Sequence, residues 1–353
     1  MIDVFVYALI GMLSLCLIWF LIEKRRRRTH PVKGGINRSI SLPHTEPIEL
    51  YSNSFSHCSR KCRLVLAELG LEAKHHAIDL IETGWYQTIS PAYLKVNPSG
   101  LVPTLVHKGH PIYESDDILA YAAEIAGPDA PSLVPDSPRL RAHMEEWLSF
   151  CAISSADAMA GMEEKAGACI PGLTLPMFVS TIQYVPLRNI LVGFLFHFDK
   201  KRPALFTASK ILGLRRMMAL KPLQTMMHES RDHMRKHLMT LNGALETSGG
   251  DWILGEQFSL ADITLSCILL RLQETGWLAW FERTADIRQV SDYFARLQAR
   301  PAWAEAITAH AHPIVTRAKI DLSNAAATDP ALAERIYGAS APTAKTPAEA
   351  LSW

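Results

Sequence analysis

Apolar and polar residues divide the chain into four kinds of stretch. From Val4 to Ile22 it reads VFVYALIGMLSLCLIWFLI, without a charge. As a helix this run is roughly 28 Å long, close to the hydrocarbon thickness of a bilayer. Lys24 and Arg25 to Arg28 follow at once, with Trp19 and Phe20 near that end. A cleavable leader carries its charges ahead of a shorter apolar run, so the pattern predicts a retained single-pass transmembrane anchor with a basic stop over 1–28. The positive-inside bias then leaves the body of the protein facing the cytoplasm. Residues 29–47, with Pro, Gly, His and Ser, read as a linker.

From Ile48 the period changes. IELYS (Ile48 to Ser52) is a strand signal ending in a polar turn. Between Cys58 and Leu69, apolar residues at 62, 65, 66 and 69 follow helical spacing, and Gly70 stops the run. Glu72 to Leu80 reads as a second strand and Trp85 to Lys95 as weakly helical. Pro103 to His107 and Pro111 to Tyr113 flank the turn Lys108-Gly109-His110, which predicts a hairpin. Ser115 caps a helix running to Ala126, with Ile118, Leu119, Tyr121, Ala122 and Ile125 on its buried side. This order predicts an α/β layer with a small mixed sheet over 48–127.

Residues 128–138 form a proline-rich linker, after which strand signals stop. Helices are expected over 139–164, 226–247, from Ser259 onward, 285–298 and 301–310, an all-helical domain within 139–322. Ser259 and Asp262 are spaced as a capping box. The stretch 169–198 is apolar but broken by Pro171, Pro176 and Pro186, and Lys200, Lys201, Arg202, Lys210, Arg215, Arg216 and Lys221 follow. Such an insertion (167–222) either covers part of the helical core or lies in the cytoplasmic membrane interface, with its bases on anionic lipid. From Ser323 to the end, Ala, Thr, Pro and Ser dominate, which predicts a largely disordered tail.

Charge and cysteine content narrow the function. The 353 residues carry a formal net charge of +1, so no global field points to nucleic acid, and basic residues are not interleaved with aromatics as nucleic-acid binders require. The cysteines at 16, 58, 62, 151, 169 and 267 are scattered, which fits free thiols in a reducing compartment. His228, His233 and His237 lack an acidic ligand set, and no metal site is expected.

Chemistry concentrates in Ser56-His57-Cys58-Ser59-Arg60-Lys61-Cys62-Arg63-Leu64. With Asn97-Pro98-Ser99-Gly100-Leu101-Val102-Pro103-Thr104-Leu105, Glu114-Ser115 and Ser259-Leu260-Ala261-Asp262, it forms an ordered set that resembles the glutathione S-transferase superfamily from about Ile48 to Ala311. The SHCS stretch is similar to the zeta class and to tetrachlorohydroquinone reductive dehalogenase. Asn97 to Pro103 and Tyr113 to Ser115 look omega-like. The SFS-x-x-x-x-K-x-R-L pattern (Ser54 to Leu64) is similar to the membrane-tethered ganglioside-induced differentiation-associated proteins, which carry an insertion in the helical domain.

The resemblance implies an α+β, two-domain fold: a thioredoxin-like domain, then an all-helical domain, here behind a single transmembrane helix. It implies glutathione as co-substrate and a homodimer among the expected assemblies, while the expected bilayer location suggests a hydrophobic small molecule as second substrate. Pro103 would be a cis-proline that lets Val102 present its backbone N–H and C=O to glutathione. Ser115, with the free amides of its helix, would hold the γ-glutamyl carboxylate, and Glu114 the ammonium. Ser56 would stabilise the glutathione thiolate. A hydrogen bond to a charged group contributes roughly 1.5–3 kcal/mol, enough to lower a thiol pKa by about one or two units. Cys58 lies in the same field and is the alternative centre, for thiol transfer or reductive dehalogenation. Cys62 reads as core and His57 as a solvated loop residue. Leu101 stands where many relatives carry Gln or Lys. A transferase fold without catalysis, serving as a membrane interaction module, is the reading from a different class.

Overall fold

Ile48–Ser52 (β2) is apolar enough to be buried along nearly its whole length, and it lies inside the sheet with a neighbour on each side. The structure, a computed structural model, describes residues 2–154, 157–197 and 199–338. The other strands are β1 (Gly35–Ile36), β3 (Lys74–Ala77), β4 (Thr104–His107) and β5 (His110–Tyr113), in the order β1-β5-β4-β2-β3. β2 and β3 run parallel; the remaining pairs are antiparallel. A parallel neighbour requires a crossover, and helix α2 (His57–Glu68) supplies it. β4 and β5 meet at Lys108-Gly109, whose φ values of 50° and 83° are the left-handed pair of a tight hairpin. The short α3 (Tyr93–Val96) precedes β4, and α4 (Ser115–Ile125) follows β5 and packs on α2.

The helical domain comprises α5 (Pro138–Phe150), α6 (Ala166–Ile182), α7 (Leu187–Phe196), α8 (Lys201–Met217, broken at Gly213), α9 (Lys221–Thr247), α10 (Leu260–Glu274), α11 (Trp277–Thr284), α12 (Arg288–Gln298), α13 (Pro301–Ala306), α14 (Pro313–Thr328) and α15 (Pro330–Tyr337). α10 is its axis, buried from Leu260 to Leu272 and packed on α2, α5, α6, α11 and α12. Its start is fixed by Asp262. One carboxylate oxygen accepts from Ser259 N (2.8 Å) and Ser259 Oγ (2.9 Å), the other from Ile253 N (3.0 Å) and Tyr293 Oη (2.7 Å). The capping box expected from Ser259 and Asp262 thus also ties in α12 and the preceding turn.

Four expectations are corrected. Residues 29–47 are not a plain linker. Gly35 and Ile36 pair with Tyr113 and Ile112 as a fifth strand, and His30 N, Asn37 N and Leu42 N donate to the carbonyls of Pro98, Pro111 and Gly109. The free edge of β5 makes this possible, because an unpaired strand edge satisfies itself with whatever backbone passes. The tail is helical over 323–337. Leu332, Ala333, Ile336 and Tyr337 are buried, and Tyr337 Oη donates to Thr275 O (2.8 Å). Small residues hid the end of α14 and all of α15, whose few large apolar side chains point inward. Residues 339–353, the remainder of that expected tail, lie outside the described residues.

The third correction concerns the apolar insertion. Residues 166–182 form one helix despite Pro171 and Pro176, buried on nearly all sides against α8, α9, α10 and α14. A proline inside a helix costs about 3 kcal/mol. Burial of Ile170, Leu173, Leu175, Met177, Val179 and Ile182, at ~1.5–3 kcal/mol for each large side chain, exceeds that cost. Glycines bring the neighbours close: a Cβ on Gly172 would lie 2.1 Å from Ser230 Oγ. This part of 169–221 is core and cannot meet a membrane surface. The helix expected over 139–164 stops at Phe150, and the chain turns back to start α6.

Replacing Asp262 by Ala should remove the cap and strand four buried donors. We expect a loss of at least about 2 kcal/mol, read as a lower chemical-denaturation midpoint of the purified chain.

Candidate functional site

Strand register brings the expected site residues to one end of the sheet. Tyr51 pairs with Thr104, so Val102 falls beside the stretch that continues from β2 into the turn before Ser56. Leu105 pairs with Ile112, so Pro103 falls opposite Glu114. The Val102–Pro103 peptide is cis. Pro103 is buried and Val102 is half-buried. Among the described residues neither the N–H nor the C=O of Val102 has a hydrogen-bond partner. The turn before it is braced: Leu101 O accepts from Tyr93 Oη (2.6 Å) and Asn97 Nδ2 (3.0 Å), while Asn97 Nδ2 also donates to Thr104 Oγ1 (2.9 Å). Leu101 itself points its side chain to solvent.

Ser56 is the N-cap of α2. Its Oγ accepts from Ser59 N at 3.2 Å, which leaves the hydroxyl proton free to be donated elsewhere. The turn is shaped by Asn53, whose Oδ1 accepts from Phe55 N and Ser56 N while its Nδ2 donates to Ile78 O and Thr83 Oγ1. Cys58 is half-buried in the first turn of α2; Cys62, one turn on, is fully buried and donates to Ser115 O at 3.7 Å. Burial pushes the Cys62 thiol well above its ordinary value, so it stays protonated and serves packing.

Glu114 and Ser115 open α4. Glu114 holds a φ of 63°, a left-handed conformation that few side-chain-bearing residues adopt and that is common at functional sites. Its carboxyl is pushed up by burial and then by Asp117 and Asp116. Ser115 is buried, and the first amides of α4 have no acceptor within the helix. Lys61 lies fully buried beneath this end, paired with Asp116. Burial opposes its charge, but Asp116 and then Cys58 raise the ammonium above the ordinary lysine value. This pairing neutralises an acid that would otherwise repel an anion from the start of α4.

His57 is corrected from a solvated residue to a buried one. Burial, then the charges of Lys61, Arg271 and Arg60, push its imidazole well below the ordinary range, so it is neutral at physiological pH. Arg60 and Arg271 converge with it. Arg60 makes a two-pronged pair with Glu274 (2.8 and 2.6 Å) and donates to Ser54 O (2.8 Å). Arg271 donates to Phe55 O, stacks 3.9 Å from the centre of the Phe55 ring and lies 3.4 Å from Glu274. Burial alone would raise the Glu274 carboxyl, but Arg60 and Arg271 outweigh it and hold it below its usual value.

The sequence reading missed this interdomain ion cluster, the brace from Tyr93 and Asn97, and the strap contributed by residues 30–37. Gly35 pairs with Tyr113, placing Gly34 at Glu114; a Cβ on Gly34 would lie 2.2 Å from Asp117 Oδ2 and 3.3 Å from Glu114 Cγ. Two glycines in succession were the available signal. The histidines of α9 are elsewhere: His237 is bonded to Met162 O (2.8 Å) and His228 to Arg335 O (3.2 Å).

Residues 55–125 match the glutathione S-transferase N-terminal domain and residues 196–301 the glutathione S-transferase C-terminal domain. The chain belongs to the glutathione S-transferase superfamily. It is 35% identical over 104 residues to glutathione S-transferase D7 of Drosophila melanogaster, covering 29% of this chain and 45% of that protein. It is 34% identical over 98 residues to a zeta-class glutathione S-transferase of Euphorbia esula, covering 28% and 42%. The chain thus spans less than half the length of these two relatives. Over 284 residues it is 23% identical to the human ganglioside-induced differentiation-associated protein 1-like 1, covering 74% of each chain. Among solved structures it is similar to the beta-etherase LigF of Sphingobium, with a TM-score of 0.58 and 22% identity over 75% of this chain and 100% of that one. That likeness bears on the fold.

Glu274→Gln should leave Arg60 and Arg271 buried without a counter-charge. Breaking one partner of a buried pair costs roughly 3–5 kcal/mol, and the denaturation midpoint should fall accordingly. An exposed-pair control, Asp232→Asn, should leave it unchanged.

Proposed function

We propose that this protein is a glutathione transferase held at a membrane by its N-terminal helix α1 (Ile2–Arg26), with its body on the cytoplasmic side. The observation that carries the reading is the unpartnered backbone of Val102 at the cis Val102–Pro103 bond, set at the same sheet end as Ser56 and Glu114-Ser115. In this reading the cysteinyl backbone of glutathione pairs with Val102. Its γ-glutamyl carboxylate takes the amides and hydroxyl at Ser115, and its ammonium sits by Glu114. A positive charge there would return the raised Glu114 carboxyl to its ionised form.

The sulfur then lies at the start of α2. The Ser56 hydroxyl donates to the thiolate, and the helix N-terminus adds positive potential. The thiolate attacks an electrophilic carbon; the new S–C bond forms as the leaving group departs with its electron pair. Among the described residues one helix is long and apolar enough to cross a membrane, Val4–Arg26. A site tethered there favours apolar electrophiles, which partition into the same bilayer. Titration with glutathione, by calorimetry and thermal shift, tests the reading. Wild-type protein that neither binds nor is stabilised by millimolar glutathione would leave a non-catalytic membrane module.

A second chemistry at the same site is favoured by one observation. Cys58 is the half-exposed thiol of the folded body, next to Lys61, whereas Cys62, Cys151, Cys169 and Cys267 are buried. As a thiolate it would exchange into a glutathione disulfide, forming a mixed disulfide and releasing glutathione thiolate. Ser56→Ala should lower conjugation kcat about 10- to 100-fold, the equivalent of one or two pKa units, whereas Cys58→Ala should spare conjugation and abolish thiol transfer. Full activity of both variants with every electrophile and disulfide tried removes these assignments. Gly34→Val should force Glu114 and Asp117 aside and weaken glutathione binding, seen as a higher Kd by calorimetry with an unchanged melting temperature for the helical domain.

A further inference from the structure

α7 is apolar on both faces. Inward, Ile190 and Gly193 are buried against the N-terminal domain. Asn189 Nδ2 donates to Gly84 O (2.9 Å), and Gly193 makes room for Tyr86, whose Oη would lie 2.7 Å from a Cβ there. These contacts fix the rotation of the helix about its axis. Outward, Leu187, Leu191, Phe194 and Leu195 repeat at the spacing of one helical face and are 42, 43, 39 and 49% exposed. Monomeric soluble proteins rarely leave such a contiguous apolar stripe in water.

The neighbours of the stripe identify what covers it. Phe196, at the end of α7, meets Trp19 edge-on at 6.4 Å between ring centres and Phe20 at 5.8 Å. The Arg27 guanidinium lies 5.0 Å from the centre of the Phe196 ring. The C-terminal end of the stripe therefore meets α1 at its basic last turn, Lys24, Arg25 and Arg26, with Arg27 just beyond and Glu23 paired to Arg26 and Arg27. Trp and Arg at that level of a spanning helix mark the headgroup boundary. Arg188 and Lys201 are exposed beside the stripe, and Lys200 donates to Phe194 O (2.6 Å) at the end of α7. They give it a basic rim suited to anionic headgroups.

We infer that α7 is a second membrane contact, lying in the plane of the cytoplasmic headgroup region with Leu187, Leu191, Phe194 and Leu195 in the acyl boundary. The inference rests on α1 being a membrane anchor. Within the chain's wider apolar and basic stretch it selects the outward face of α7 rather than α6, which is core. It also makes the orientation of the body definite, because two contacts fix a rigid body where one tether leaves it free to rotate. The N-terminal domain rests on the inner face of α7 through Gly84 and Tyr86, so the docked helix holds that domain against the bilayer.

The test uses the full chain in nanodiscs of phosphatidylcholine with a minority of phosphatidylserine. A photo-reactive benzoylphenylalanine replaces, one at a time, Leu13 in α1, Leu191 and Leu195 in α7, and Met239 on α9, an exposed apolar control at 55%. Lipid adducts at 13, 191 and 195, at least tenfold over position 239, are expected. Adducts at 13 with only the position-239 level at 191 and 195 would overturn the inference while leaving the anchor. Cross-links from 191 or 195 to a second copy of the chain would overturn it in favour of a dimer face. No lipid adduct at 13 would remove the anchor and the inference together.

Discussion

Three cations within about one turn of α2, Arg60, Lys61 and Arg63, are all buried, and the rest of the structure depends on how each is answered. Burying an unpaired charge costs several kcal/mol, so α2 can sit where it does only if other elements arrive with partners. Glu274 of α10 answers Arg60, Asp116 of α4 answers Lys61, and Ala306 O, Ser52 Oγ and Asn53 O answer Arg63. Each partner comes from a different part of the fold. Together they fix the helix that carries Ser56 and Cys58 against its own sheet, against α4 and against the helical domain. Hydrophobic burial alone would permit small slides and rotations of α2; directional ion pairs do not.

The same fixing explains the candidate site. Nothing in it is held by one element: Val102 comes from the turn into β4, Glu114 and Ser115 from the junction of β5 and α4, Ser56 from the junction of β2 and α2. Antiparallel register makes those junctions coincide at one sheet end, and Cys62 Sγ to Ser115 O joins the two helices just below. The strap at Gly34 and Gly35 adds the segment that leads from α1. In this architecture the segment leading from α1 and the wall of the candidate site are one piece of chain.

The helical domain meets the N-terminal domain a second time. Ile81, Tyr86 and Ile89 form a small core with Ile182, Val185, Ile190 and Phe206, separate from the main one. Arg202 bonds to buried Glu82 at its margin. The apolar stretch that follows α6 is therefore neither a loose insertion nor a spanning helix. One face of it closes this second core and the other remains apolar and outward.

The features readable from the chain's own pattern were local. The alternation in IELYS, the helical spacing from Cys58 to Leu69, the hairpin at Lys108-Gly109 and the capping box at Ser259 and Asp262 each depend on nearby residues, so neighbours suffice to predict them. The uncharged run before Lys24 is legible for the same reason. Ser56, Val102, Pro103, Glu114 and Ser115 were legible as a set because their types recur in a fixed order, and register then brought them together. Tertiary structure alone decided which partners answer Arg60 and Lys61, since Glu274 lies 214 residues from Arg60 along the chain. It alone turned His57 inward, made a core helix of a proline-broken stretch, paired Gly35 with Tyr113 and folded 323–337 onto the bundle. Each of these follows from burial or pairing with chain far away in sequence, and no local pattern contains that energy.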